Sequence, residues 1–334
     1  MFIIFIFFNQ FIKTMEKKID LVYTWVNGDD LKHKEKRIKL AKKLGLFGNE
    51  YTNISNNDCR FIDNEELKYS LRSVSKYADW INNIYIITDN QIPKWLNLDN
   101  KKIKIIDHKD IIPEEYLPTF NSNCIEFCIC NIKELSEKFI YSNDDFFLSN
   151  FVKPEGFFYQ KKPIYLFEKK ISTKIVKYPV FQYFVNSYFL LKKYYKKAFC
   201  RDDSHCMTPF LKSVLLECNH KFKKDIEKTT LTHFRNKNNL CMFLYMCYTI
   251  LTNKGIFKIN KRKYKGLLGF FKNDFSKFIK YVEINDIGKL PDILKKYKCS
   301  MFCLNDTEDT LEENRKKVKD VLEKLFPEKS QFEI

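Results

Sequence analysis

Buried strands show as short apolar runs, and along this chain each such run ends abruptly in polar or acidic residues. Ile19-Asp20-Leu21-Val22-Tyr23 reads as the first strand and breaks at Thr24-Trp25-Val26-Asn27-Gly28-Asp29-Asp30, a turn with helix-capping acids. A basic helix over residues 31–44 follows and stops near Gly45. Asp63-Asn64-Glu65-Glu66 has the spacing of a capping box, and Leu67, Leu71, Val74 and Ala78 repeat behind it at helical intervals, predicting a helix over 63–78. Ile84-Tyr85-Ile86-Ile87 predicts a second strand, leading into Thr88-Asp89-Asn90-Gln91 and closed by Pro93. Ile103-Lys104-Ile105-Ile106 predicts a third, leading into Asp107-His108. After a turn at 118–122, Ile125, Ile129, Ile132 and Leu135 mark a helix that feeds Phe139-Ile140-Tyr141-Ser142-Asn143-Asp144-Asp145, a strand ending in two adjacent carboxylates.

The alternation of apolar strands with helices predicts an α/β, Rossmann-like fold: a mostly parallel sheet with helices on both faces. In such a sheet the carboxyl ends of the strands line one crevice. Residues 24–30, Asp89 to Gln91, Asp107 with His108, and Asn143 to Asp145 would meet there. Two carboxylates side by side among Phe and Ile are costly to desolvate, so they call for a cation, a wet cleft or a shared proton. A divalent metal on Asp144 and Asp145 is the first expectation, against the plainer reading of an Asp-rich turn.

Beyond residue 160 the pattern is less regular. Strands are expected at 164–167 and 184–190, and a helix starting at Thr208-Pro209, with Thr as cap, Pro in the first turn and an apolar face of Leu211, Val214 and Leu215. A very apolar helix is expected over 237–251, a strand at 281–284, a helix at 291–298, an apolar run Met301-Phe302-Cys303-Leu304 ending in Asn305-Asp306, and a charged helix over 308–325. The chain divides accordingly into an apolar N-terminal segment (1–17), an α/β half whose strand ends suit a nucleotide (18–160), and a helix-rich half (161–334) that completes the same unit.

Composition narrows the function classes. With 334 residues, 45% of them hydrophobic, 32 Phe, and only 8 Gly and 9 Pro, the chain can bury a large core and has no stretch with the composition of a disordered linker. The net charge of +17 favours anionic partners. The lysines are scattered, and no helix-turn-helix, zinc-finger or RNP-like pattern appears, so nucleic acid is not an expected partner. Eleven cysteines without C-x-x-C spacing read as free thiols, several of them small core residues, in a reducing compartment such as the cytosol. The first 12 residues are apolar but too short to span a bilayer and lack a basic n-region. Only if that segment is a signal or anchor does a secretory, Golgi-type location apply.

Four separated stretches together resemble the Stealth family of sugar-phosphate transferases. They are residues 19–30; residues 60 to about 157, with Glu66-Leu67-Lys68-Tyr69-Ser70-Leu71-Arg72-Ser73, Gln91-Ile92-Pro93-Lys94-Trp95-Leu96, Leu117-Pro118-Thr119-Phe120 and Asn143-Asp144-Asp145; His205 through Phe234-Arg235; and Cys303-Leu304-Asn305-Asp306. The resemblance implies transfer of a sugar 1-phosphate, N-acetylglucosamine 1-phosphate or a similar hexosamine, from a UDP-sugar to a glycan hydroxyl, releasing UMP. A glycosyltransferase that releases UDP, or a noncatalytic basic binding protein, are the alternatives. On this resemblance Asp144 and Asp145, with Asn143, are expected to hold Mg2+ or Mn2+. Thr24, Trp25, Asn27, Gly28, Asp29 and Gln91 would shape the donor loop, and Arg72 and Arg235 would neutralise phosphate oxygens. His205 is the candidate general base, because histidine side chains commonly titrate near neutral pH; His108 is the reserve. Asn305 and Asp306 would close the site or cap the last helix. Peripheral membrane association and a homodimer are compatible with this reading.

Overall fold

In the computed structural model, residues 18–46, 57–174, 179–260 and 279–334 are described. The N-terminal segment 1–17, read above as apolar and separate, lies outside them.

The central sheet takes the order β3-β2-β1-β4-β9. Its strands are β1 (Ile19–Thr24), β2 (Ile84–Thr88), β3 (Ile103–Asp107), β4 (Lys138–Asn143) and β9 (Thr208–Leu211). The first four are mutually parallel, whereas β9 runs antiparallel along the outer edge of β4. Alternate side chains of these strands enter two different cores. Val22, Tyr85, Ile87, Phe139 and Tyr141 pack on one face with Cys124 and Phe127 of the helix α4 (Ser122–Cys128). Leu21, Tyr23, Ile84, Ile86 and Ile140 pack on the other with Leu67, Leu71 and Val74 of α2 (Glu66–Tyr77). Burial on both faces explains why these strands read as continuous apolar runs. The register sets Thr24 opposite both Ile87 and Asn143, and Thr88 opposite Asp107, so the polar strand exits line up along one edge.

At Asp144-Asp145 the chain leaves this sheet. It enters β5 (Phe146–Leu148), which pairs antiparallel with β12 (Met301–Asn305), itself parallel to β11 (Ile279–Glu283). A third sheet is built on β7 (Lys162–Lys170), flanked by β6 (Phe158–Tyr159), β8 (Arg201–Asp203) and β10 (Ile256–Ile259). The remaining helices are α1 (Leu31–Lys43), the single turns α3 (His108–Ile111) and α5 (Pro154–Phe157), α6 (Pro179–Lys192), α7 (Lys212–Lys221), α8 (Lys223–Thr230), α9 (Phe243–Leu251), α10 (Leu290–Tyr297) and α11 (Glu312–Leu325). The second half thus brings β7 to β12 as well as helices, and one of its strands completes the central sheet.

Several elements differ from the sequence expectation. The expected strand at 184–190 is part of α6: Tyr183, Phe184, Ser187, Leu190 and Leu191 are buried at helical spacing, and the density of aromatic residues hides that period. Thr208-Pro209 does not begin a helix. Thr208 Oγ1 donates back to Cys206 O, and Pro209 lies on an edge strand, where its missing N–H costs no ladder bond. The helix begins only at Lys212. The helix expected over 237–251 starts at Phe243, because Asn236 and Asn239 are held in a polar turn in which Asn239 Oδ1 accepts from Asn236 N. In the expected capping box, Asp63 accepts from Glu65 N rather than capping the helix, and Glu66 folds back to accept from Asn64 N and Nδ2.

Candidate active site

The site forms where the central sheet hands the chain to β5. The Tyr141 hydroxyl lies 3.1 Å from Thr24 Oγ1, 2.8 Å from Asn143 Oδ1 and 3.3 Å from Glu126 Oε1, which ties together the ends of β1, β4 and α4. One step further, Asp144 and Asp145 occupy the tight turn. Burial pushes the Asp144 carboxyl well up, and Asp145, Glu66 and Asp63 push in the same direction. Burial also raises Glu66 to about 8 and Asp63 to about 6. Asp145, Glu66 and Asp63 therefore all raise the cost of ionising Asp144. Such crowding is stable when protons or a cation offset the charge.

Asp145 has a different environment. Burial raises it, and His205 is the largest influence in the other direction. One oxygen, Oδ2, accepts from the Cys303 thiol at 3.4 Å, whereas Oδ1 is buried with no hydrogen-bond partner. Asp145, His205 and Cys303 bring ligand atoms within 4.8 Å of one another, a constellation that can hold a metal ion. Cys303 reaches this place because β12 pairs with β5, with Leu304 N donating to Asp145 O at 3.0 Å. His205 is fixed in a left-handed backbone conformation (φ 42°) between the rings of Phe146 and Tyr281, at 5.1 and 5.8 Å. A non-glycine residue in this region is strained and held by its surroundings, a feature concentrated at functional sites.

Two arginines lie near these groups: Arg60 acts on Asp145, and Arg235 on Glu126. Gly28 N donates to Phe61 O at 2.7 Å, and a Cβ on Gly28 would come within 2.4 Å of that oxygen. Only glycine lets the loop after β1 touch the Arg60-Phe61 segment so closely. Arg235 is brought in by a clamp: Phe120 N donates to His233 O at 2.7 Å, and Phe234 stacks on Phe120 at 5.2 Å. Burial lowers the Arg235 pKa, and the like charge of Arg60 is the next cause. Neither guanidinium forms an ion pair among the described residues. Each has a carboxylate in its field, Glu126 for Arg235 and Asp145 for Arg60, but with neither locked in a close ion pair the two cations can still receive an anion.

The other expected residues take different places. Trp25 is buried and faces Asp63. Gln91 exchanges two 2.9 Å bonds with the backbone of Asn27, and Asn27 Oδ1 accepts from Asp29 N, so these groups shape the loop and leave Asp29 exposed. His108 is not brought to the carboxylates. It is buried beside Asp89, Lys36 and His33 at the end of β3, and that burial lowers it to about 4. Asp306 forms a bidentate pair with Arg315 at 2.9 and 3.0 Å, and Asn305 Nδ2 donates to Asp306 O, so this pair anchors α11. The expectation for Arg72 as a phosphate ligand is corrected. Its donors go to Glu333 (2.8 and 2.9 Å), Glu323 (2.9 Å) and Phe326 O (2.7 Å), which leaves no free edge for an anion. Arg60, Asp63, Glu66, Glu126 and Tyr141 carry no role in the sequence reading; the spacing of Asp63 and Glu66 was absorbed by the capping motif, and Arg60 has no local signal of its own.

Comparison with known proteins identifies the family. Models of Stealth protein conserved regions 1, 2 and 4 match residues 17–45, 60–165 and 291–334. A capsular polysaccharide phosphotransferase WcwK of Streptococcus pneumoniae is 32% identical over 96% of this chain and 100% of its own length. The capsular polysaccharide phosphotransferase fcs1 of Haemophilus influenzae is 35% identical over 86% of this chain and 78% of its own. Among solved structures, mouse xyloside xylosyltransferase 1 superposes with a TM-score of 0.41 at 8% identity, covering 86% of this chain and 98% of that one. The chain belongs to the Stealth family, and it is a phosphotransferase.

Proposed function

We propose that the enzyme transfers a sugar 1-phosphate, N-acetylglucosamine 1-phosphate or a similar hexosamine phosphate, from a UDP-sugar to a hydroxyl of a capsular or exopolysaccharide glycan, giving a phosphodiester and UMP. The observation that supports it most is that Arg60, itself beside Arg235, acts on Asp145, a carboxylate whose Oδ1 is buried without a partner. One side suits an anion and the other a cation. A diphosphate carried with a divalent metal is both.

Asp145 and Asp144 would hold Mg2+ or Mn2+, which when bound supplies positive charge to the diphosphate. Cys303 remains a thiol, since burial and Asp145 push its pKa well up, and it donates to Asp145 rather than acting as a thiolate ligand. Arg60 and Arg235 bind the phosphate oxygens and hold the phosphorus in line with the incoming oxygen. His205 takes the proton from the acceptor hydroxyl as its oxygen bonds to phosphorus. The bond between the two phosphates breaks, and its bridging oxygen departs with UMP. Tyr141, Thr24 and Asn143 fix the floor of the site. In this reading residues 18–160 bind the nucleotide sugar, and residues 161–334 supply His205, Arg235 and Cys303 to the same cleft. The test is product analysis with a panel of UDP-sugars and Mn2+ or Mg2+: UMP is expected, and release of UDP would sink the proposal.

A further inference from the structure

The turn after α6 and the junction of α7 with α8 form one basic, aromatic surface outside the catalytic cleft. Lys192, Lys193, Lys196 and Lys197 are exposed on the first, and Lys221, Lys223 and Lys224 on the second. The two segments touch. Lys221 donates to the Tyr195 hydroxyl at 3.0 Å and lies 4.9 Å from that ring, and Tyr194 packs edge-on to Phe222 at 5.3 Å. Asp225 pairs with Lys228 and Glu217 with Lys254; Lys221 also acts on Glu217, and the seven exposed lysines outnumber these two acids. Two large apolar rings stay in solvent among these lysines: Tyr194 is 56% exposed and Phe189 is 47% exposed. Phe189 lies one helical turn from Lys192 and Lys193, so it shares their face.

We propose that this surface docks the protein on an anionic phospholipid membrane, with the lysines over the headgroups and Phe189 and Tyr194 at the acyl boundary. Lysine ammonium groups on flexible stems suit a diffuse anionic plane, and aromatic rings prefer the interface. The patch contains no arginine, the side chain that bidentate phosphate recognition in nucleic acid favours. Among the described residues no helix is long and apolar enough to cross a membrane, so the attachment lies on the surface.

The test uses the full chain with vesicles of phosphatidylcholine alone or mixed with phosphatidylglycerol, read by flotation. Binding to the anionic vesicles is expected, with little to the neutral ones. Each lysine near an anionic surface contributes about a fivefold factor, so K192S/K193S/K196S/K197S should bind on the order of a hundredfold or more weaker, with an unchanged circular dichroism spectrum. F189S/Y194S should lose the binding that survives high salt. Equal binding to neutral vesicles, no binding, or full binding by the folded lysine variant would overturn the proposal. Tighter binding to a single-stranded DNA homopolymer than to the anionic vesicles would also overturn it, in favour of a nucleic-acid surface.

Discussion

Asp145 combines two demands that conflict unless a cation is present. Its Oδ2 accepts from the Cys303 thiol, which favours the carboxylate, while Oδ1 is buried with no donor, which penalises that same carboxylate. Asp145→Asn should therefore lower Mn2+ affinity by at least about a hundredfold, with a parallel loss of UMP formation, measured by metal titration and product assay. His205 separates two roles by the same pair of measurements. If it is the base, His205→Gln loses a factor of roughly 10²–10⁴ in kcat while Mn2+ affinity stays within a few-fold; a comparable fall in Mn2+ affinity would make it a ligand instead. At this scale the sequence singled out Asn143-Asp144-Asp145 and His205, and the structure brings Asp145 and His205 together. It was silent on Arg60 and Glu126, whose relevance exists only because Gly28 and Tyr141 bring distant segments to them. It was misleading at Glu66, where a plausible local partner disguised a long-range one.

Two elements reach the site through a single close contact, and each is testable through it. Gly28→Ala places a methyl carbon against Phe61 O, so the loop after β1 and the Arg60 segment must separate. Overpacking of this kind costs about 1–3 kcal/mol, and donor KM should rise more than kcat falls, because the displaced Arg60 binds phosphate. The last residues of the chain form the other contact. Asn97 N donates to Phe332 O, Ile334 N donates to Trp95 O, and Glu333 is buried against Arg72. Arg72 lies on α2, whose first residue is Glu66, so the terminal strap fixes the helix that carries one wall of the acid pocket. Removing one partner of a buried pair costs roughly 3–5 kcal/mol, so Arg72→Met should lower the thermal midpoint markedly. If Arg72 bound substrate instead, the folded variant would show normal stability and a raised donor KM. Helix and strand types were legible wherever the apolar period was clean, as in β1 to β4 and α2. They were not legible in α6 and β9, where aromatic crowding and a Thr-Pro pair imitate the wrong element, and only pairing with β4 decides the latter.

For the whole molecule, the alternation of strands and helices carried the doubly covered sheet and the edge where its strands end, but not the way β5 and β12 bring the C-terminal half to that edge. Antiparallel pairing between residues more than 150 positions apart leaves no periodic trace. The consequence is a molecule whose stability is coupled to the charge of its own site. Glu66 is raised to about 8 and Asp63 to about 6, against ordinary values of about 4.3 and 3.9 in an unfolded chain. Between those limits the folded protein holds protons that the unfolded chain has released, so the contribution of these two groups to stability falls as pH rises from about 4 towards 8. A divalent ion in the same pocket replaces the protons' charge. Without metal, the thermal midpoint should decline across that range, while with Mn2+ the decline should flatten, so that the stabilisation by Mn2+ is larger at pH 8 than at pH 5. Glu66→Gln removes the largest of these proton demands and should flatten the metal-free curve. A midpoint independent of pH in the wild-type, metal-free protein would mean that the carboxylates are relieved by some other charge.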